Sequence, residues 1–306
     1  MPGFNPTKDR LDVAGKVILI TGGTAGVGAG TLIALARHEP AHLLFTGRNP
    51  TSAASTIARA RASIPPSSSS SEVPITFIPA DLASLSSVHS AAANLAATLP
   101  RLDVLVCNAG IMAAPPALSA DGYELQFATN HLGHALLVHK LLPLLARTAD
   151  ARVVMVTSTG WRGAPPGGVQ FDRLRTTQEM PVLGRWLRYG QSKLANMLFA
   201  RELAARYPGV LAFSVTPGVV ATGLVTELGV VDKALVYLPN IGRVKTPEEG
   251  THNLLWAVGV PKGEVKPGAF YEPVGRLSRM ETKASRGPEL AGKLWEWTET
   301  ELKQWM

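Results

Sequence analysis

The sequence predicts an α/β chain: a single doubly wound domain with a parallel sheet of about seven strands and helices on both faces. Three observations predict it. Short apolar runs alternate with helical segments along most of the 306 residues. The first run leads directly into a glycine-rich turn. Small or hydroxyl-bearing residues follow the fourth and fifth runs, at the carboxyl ends where such a sheet opens its ligand crevice.

Lys16-Val-Ile-Leu-Ile20 reads as a buried parallel strand. It enters Thr21-Gly22-Gly23-Thr24-Ala25-Gly26-Val27-Gly28, after which Thr31 to Arg37 reads as helix. Strand, glycine turn and helix form the context in which backbone can approach a pyrophosphate over a helix N-terminus. The spacing Gly22-x-x-x-Gly26-x-Gly28 would also suit a plain turn, and the context favours nucleotide binding. The second strand, His42 to Thr46, ends in Gly47-Arg48-Asn49. Dinucleotide sites often place a carboxylate near this point to hold ribose hydroxyls. Arg48 would instead clamp a 2′-phosphate, which favours NADP(H); a solvated surface arginine is the plainer alternative.

Ser52 to Ser63 is Ala-rich and helical, and Pro65 to Ser71 reads as a surface loop within one domain. Ile75 to Ile78 is the third strand, leading to Asp81-Leu82, and Ser84 to Leu99 the third helix. Asp81 is either that helix's N-cap or a contact to adenine. Leu102 to Cys107 is the fourth strand and opens into Asn108-Ala109-Gly110. The long helix that follows carries Asn130-His-Leu-Gly-His134, whose histidines lack the further ligands of a metal site. Arg152 to Val156 is the fifth strand, ending in Thr157-Ser158-Thr159-Gly160.

After a Gly/Pro-rich excursion comes Tyr189-Gly-Gln-Ser-Lys193, read as the start of a helix running to Leu203. A Tyr and a Lys four apart project from one helix face, which for most such pairs is simply a solvated one. Free Tyr titrates near 10, so proton transfer near neutrality needs a drop of about 3 units. An ammonium about 4 Å away supplies roughly that. Leu211 to Val215 is the sixth strand, Thr246 to Val258 a helix, and Ala269 to Tyr271 the last strand. From Gly223 to Ile241, residues Leu224, Leu228, Val231, Leu235 and Leu238 recur at helical spacing. That stripe fits a substrate lid, a helix packed on the core or a membrane-surface contact. The C-terminal helix, Pro288 to Met306, carries Leu294, Trp295, Leu302 and Trp305 for an interface or for the core.

Composition narrows the classes. With 46% hydrophobic and 17% charged residues the chain suits a large core, and no apolar run reaches the roughly 18 residues of a membrane span. The amino terminus lacks a signal peptide's layout, and the single Cys107 fits a reducing, cytoplasmic setting. The net charge of +7 comes without a basic run interleaved with aromatics, so nucleic acid is not expected as a partner.

Thr-Gly-x-x-x-Gly-x-Gly, Asn-Ala-Gly, Asn, Ser and Tyr-x-x-x-Lys arrive in one fixed order. In this the chain resembles the short-chain dehydrogenase/reductase superfamily, a Rossmann fold, over roughly residues 15 to 275. Its Asn-His-Leu-Gly-His and Tyr-Gly-Gln-Ser-Lys-Leu-Ala-Asn wording is similar to the branch of the retinol dehydrogenases and the WW-domain oxidoreductases. The resemblance implies Tyr189 as the catalytic acid/base and Lys193 as the group that lowers its pKa and holds the nicotinamide ribose. It implies Ser158 as the hydroxyl polarising the carbonyl and Asn130 as the anchor of a proton-relay water. For NADP(H) it implies contacts from Thr21, Gly22, Thr24, Ala25, Gly26, Val27 and Gly28, from Arg48, and from Asp81 and Leu82. Asn108, Ala109 and Gly110, then Tyr189 and Lys193 themselves, and Pro217, Gly218, Val220 and Thr222 complete the implied set. It further implies a lid at 223–245, a small lipophilic carbonyl/alcohol substrate, and a homodimer or homotetramer through the helices around Asn130 and after Tyr189. A catalytically silent dinucleotide-binding sensor or scaffold is the competing reading, since one fold hosts both uses.

Overall fold

Four consecutive branched apolar residues, Val17–Ile20, make β1, an interior strand of the sheet in a computed structural model. The structure describes residues 11–65, 73–181, 183–280 and 282–306; the serine-rich loop expected up to Ser71 lies almost wholly outside them. After β1 come α1 (Gly26–Leu35), β2 (His42–Gly47), α2 (Pro50–Ser63), β3 (Ile75–Pro79), α3 (Leu85–Thr98) and β4 (Val104–Cys107). Then follow α4 (Leu125–Phe127), a π-helical turn (Ala128–Leu132), α5 (Gly133–Ala146), β5 (Arg152–Val156), α6 (Gly184–Arg206) and β6 (Leu211–Val215). The last third holds α7 (Gly223–Thr226), α8 (Val230–Tyr237), α9 (Pro247–Gly259) and β7 (Phe270–Glu272). It closes with β8 (Arg276–Leu277), α10 (Lys283–Arg286) and α11 (Pro288–Leu302).

The strand order is β3-β2-β1-β4-β5-β6-β7-β8. All neighbours are parallel except the short β7–β8 hairpin, which adds an eighth strand to the expected seven. Alternate residues of each strand feed opposite cores. Leu19, Leu105, Val153 and Met155 pack with α3, α5, α6 and α11, whereas Ile18, Ile20, Val106 and Phe213 pack with α1 and α9. Burial on both faces is why these strands read as unbroken apolar runs. The order reverses between β1 and β4, so their carboxyl ends flank the switch-point crevice.

Three expectations are corrected. Tyr189 and Lys193 do not begin a helix; α6 starts at Gly184, after Leu183 takes a left-handed turn (φ 59°), and both side chains are buried in its interior. The stripe from 223 to 241 is not one helix, because Gly229 divides it into α7 and α8. Nor is that stripe a core face, since Leu224, Val231, Leu235 and Leu238 are exposed. Finally, Asp81 is not the cap of α3. Ser84 caps it, accepting from the Ser87 amide at 3.3 Å, while Asp81 Oδ1 accepts from the Ala83 amide at 3.0 Å.

The C-terminal helix belongs to the core. Trp295 of α11 stacks on Phe199 of α6, centroids 5.1 Å apart at 15°, and meets His139 of α5 edge-on. Ala291, Leu294 and Leu302 are buried beside it. The helices expected to pair two copies, around Asn130 and after Tyr189, therefore carry this chain's own α11 on part of their surface. If α11 closes that interface, light scattering on gel-filtered protein returns the mass of one chain. A dimer persisting at micromolar concentration would show this reasoning wrong.

Candidate active site

The glycine turn is shaped by close approach. Gly22 has φ +69°, and a Cβ there would lie 2.9 Å from Ala109 Cβ. A Cβ on Gly28 would lie 2.4 Å from the Gly22 carbonyl oxygen and 2.5 Å from Asn108 Nδ2. Asn108 Nδ2 in turn donates to the Thr21 carbonyl at 2.8 Å. The turn and the Asn108–Gly110 segment thus lock together through the Asn108 amide, with no room for a side chain at Gly22 or Gly28. Ala25, at the head of α1, makes no side-chain cap, and the first turn holds no acidic residue. The amide end of that helix stays open to an anion, which fits a pyrophosphate. Arg48 is exposed at the end of β2 and forms no ion pair among the described residues.

Asn130 sits in the π-helical turn, an irregularity that often marks a functional position. Its Oδ1 accepts from the Ile111 amide at 2.8 Å, and its Nδ2 donates to the Ile111 carbonyl and to Ser192 Oγ, both at 2.9 Å. A Cβ on Gly110 would lie 2.9 Å from Asn130 Oδ1 and 3.2 Å from Lys193 Nζ. Glycine at 110 therefore lets both polar groups approach the turn. Behind Asn130, His134 Nδ1 lies 2.9 Å from the Asn130 carbonyl oxygen and must donate to it. Its Nε2, 2.8 Å from Thr21 Oγ1, then accepts from that hydroxyl. Thr21 Oγ1 itself accepts from the Asn108 and Ala109 amides at 2.9 Å each. Burial pulls His134 down to about 4, so it holds this network as a neutral imidazole.

Lys193 Nζ donates to the Val156 carbonyl at 3.2 Å and stands 5.9 Å from the centre of the Tyr189 ring. Burial pulls its pKa down to about 8. Burial also pushes the Tyr189 phenol up, and the hydrogen bond with Ser158 draws it partly back. The expectation that Lys193 sets the phenol below its ordinary value is thus not met by the protein's own groups. Desolvation of the buried phenol outweighs the Ser158 hydrogen bond. Ser158 Oγ also accepts from the Gly160 amide at 3.1 Å. A Cβ on Gly160 would press to 3.0 Å from Tyr189 Cε1.

These residues bound one cleft of about 850 Å³. Gly22, Thr24 to Gly28, Arg48 and Asp81 with Leu82 line one end; Ser158, Tyr189 and Lys193 line the other. Asn108 to Gly110 form one wall, and Pro217, Gly218, Val220 and Thr222 another, so every expected position except Thr21 and Asn130 reaches it. Those two stand directly behind, bonded to Asn108, Ala109 and Ile111. The sequence reading missed Ile111, Met112, Leu125 and Trp186, which add apolar wall to the cleft, Trp186 beside Tyr189. Trp186 is three residues before Tyr189, a signal that emerges only once the helix is known to begin at Gly184. Among the described residues, no group of three His, Cys, Asp or Glu could hold a metal, and no helix is long and apolar enough to cross a membrane.

Residues 16–169 match the family model described as short chain dehydrogenase. The short-chain dehydrogenase/reductase drtF of Aspergillus calidoustus is 36% identical over 309 aligned residues, covering 95% of each chain. Retinol dehydrogenase 14 of Homo sapiens is 34% identical over 268 residues, 84% of this chain and 78% of its own. A crystal structure of an uncharacterized protein from Mycobacterium paratuberculosis superposes with a TM-score of 0.73 at 28% identity, over 98% of both chains.

Proposed function

The chain belongs to the short-chain dehydrogenase/reductase family, and from that premise we propose that it is an NADP(H)-dependent oxidoreductase acting on a lipophilic carbonyl/alcohol pair. One observation carries this reading: Ser158, Tyr189 and Lys193 meet at one end of the cleft whose other end is the glycine turn beside Arg48. A silent sensor would not need that set, with Asn130 fixed behind it by three hydrogen bonds.

The turn from Gly22 to Gly28 would hold the pyrophosphate over α1, and Arg48 the 2′-phosphate. Asp81 and Leu82 would flank the adenine, and Pro217, Gly218, Val220 and Thr222 the nicotinamide side. When bound, NADPH supplies the hydride. Ser158 Oγ–H donates to the substrate oxygen and stabilises the charge that develops on it. Tyr189 gives that oxygen its proton. Lys193 spends one N–H on the Val156 carbonyl and keeps two for ribose hydroxyls. Asn130 anchors the water through which the proton is restored. Leu224, Val225, Leu235 and Val236 join the apolar wall, which supports reading 223–245 as a lid and the substrate as lipophilic.

The test is NADPH oxidation followed over a panel of lipophilic ketones and aldehydes, with NADH in parallel. NADPH should be preferred, and Arg48→Ala should narrow the preference by about 10-fold or more, the loss of charge-assisted bonds to one phosphate. An unchanged ratio would remove Arg48 from cofactor selection. Tight NADPH binding without turnover on any panel member would favour the sensor.

A further inference from the structure

One carboxylate ties the lid to the helix that carries Tyr189. Asp232 of α8 accepts from the Trp186 indole N–H at 2.9 Å and from Arg185 Nη1 at 2.7 Å. Both donors lie in the first turn of α6. The Asp232 side chain is 13% exposed against 48% for Arg185, so the carboxylate is the sheltered member of the latch. Trp186 precedes Tyr189 by three positions on one helix face, and the rings meet edge to face at 89° with centroids 6.4 Å apart. Trp186 also lines the cleft together with Leu224, Val225 and Leu235 of the lid. Its single donor is committed to Asp232. Toward a substrate it has only apolar and π surface to offer.

We propose that Trp186, held in place by Asp232, is the specificity-determining wall beside the proton donor, and that it selects carbonyl compounds bearing an aromatic ring near the carbonyl group. The inference rests on the reading of Tyr189 as the proton donor. A substrate oxygen that reaches the Tyr189 phenol brings its neighbouring substituent within range of an indole one helical turn away. A ring there can stack or pack edge-on against it, whereas a hydroxylated substituent loses its water and finds no partner. Asp232 fixes the orientation of the indole and fastens α8 over it at once, so acceptance of the ring and closure of the lid share a single contact.

The test compares an aryl-alkyl ketone with a straight-chain ketone of equal carbon number, in wild type, Trp186→Ala, Trp186→Phe and Asp232→Ala. Trp186→Ala should raise KM for the aryl ketone by about 10-fold, with kcat within about 3-fold and a clearly smaller rise for the straight-chain ketone. Trp186→Phe should fall between, and Asp232→Ala should repeat the selective rise at about 5-fold, since the indole keeps its area but loses its anchor. Equal rises for both ketones would overturn the proposal, as would a loss confined to kcat. An Asp232→Ala protein with unchanged aryl-ketone KM would overturn the latch. Equilibrium dialysis of the aryl ketone separates this from the proposed function. If wild type shows no NADPH oxidation at all, the enzymatic reading fails, yet weaker aryl-ketone binding by Trp186→Ala still upholds the wall. Equal binding would overturn it.

Discussion

Tyr189→Phe is expected to lower kcat for carbonyl reduction by about 1,000-fold, within the range that loss of a positioned general acid produces. The substitution removes one oxygen from a side chain that is 5% exposed and packed against Gly160, so the ring should keep its place. NADPH affinity and KM should change little, because the phenol acts on the reacting oxygen and not on the remote contacts. Single-turnover NADPH oxidation and a fluorescence titration of NADPH would measure the two separately. Equal rates in the two proteins would sink the mechanism. The pH profile adds a second check. Burial raises the phenol above its ordinary value, so it remains protonated and able to donate throughout the neutral range. Reduction should therefore not be lost as pH rises from 6 to 8, whereas alcohol oxidation, which needs the phenolate, should climb. Lys193, drawn down to about 8, has lost half its charge at the top of that range and should mark the upper limit of any reduction plateau.

Much of this site could be read from residues alone because the fold delivers strand ends to one place. Parallel strands buried on both faces are apolar throughout, so β1 to β6 were predicted to within a residue or two, and the residues after them followed into the crevice. What local sequence could not carry is tertiary. The beginning of α6 depends on the left-handed turn at Leu183, and without it Trp186 is not seen to share a face with Tyr189. The spacing of Leu224 through Leu238 is helical, yet Gly229 interrupts the helix and leaves much of the stripe facing out. The Tyr189–Lys193 pair was legible as chemistry, but its electrostatics were not, since desolvation depends on what the rest of the chain places around it. The histidines of Asn130-His-Leu-Gly-His134 were weighed as metal ligands. Their partners are Thr21, Asn130, Asn196 and Thr298, spread from β1 to α11, and no spacing rule connects those.

His131 and His134, together with His139, should make the protein acid-labile. Burial draws His131 to about 3 and both His134 and His139 to about 4. The unfolded chain takes up these protons near its reference value of about 6.5, before the folded chain does. Below that pH the unfolded state binds more protons, so stability falls as pH falls. At pH 5 each histidine costs about 2 kcal/mol relative to pH 7.5, roughly 6 kcal/mol for the three. Glu124 works in the opposite sense, because burial raises its carboxyl and the folded state takes up that proton more readily. A domain stable by about 5–15 kcal/mol should therefore begin to unfold near pH 5. Urea unfolding at pH 7.5, 6.5 and 5.5 should show a slope of two to three protons, about 3–4 kcal/mol per pH unit at its steepest. His139 isolates the cause. Its Nε2 is buried without a hydrogen-bond partner, and the ring packs edge-on against Phe199 and Trp295. His139→Leu should thus gain about 1 kcal/mol at pH 7.5 by removing an unsatisfied polar atom. It should also remove about one proton from the slope below pH 6.5. A variant with the wild-type slope would show that His139 is not held neutral in the fold, and with it the burial argument for all three histidines would fall.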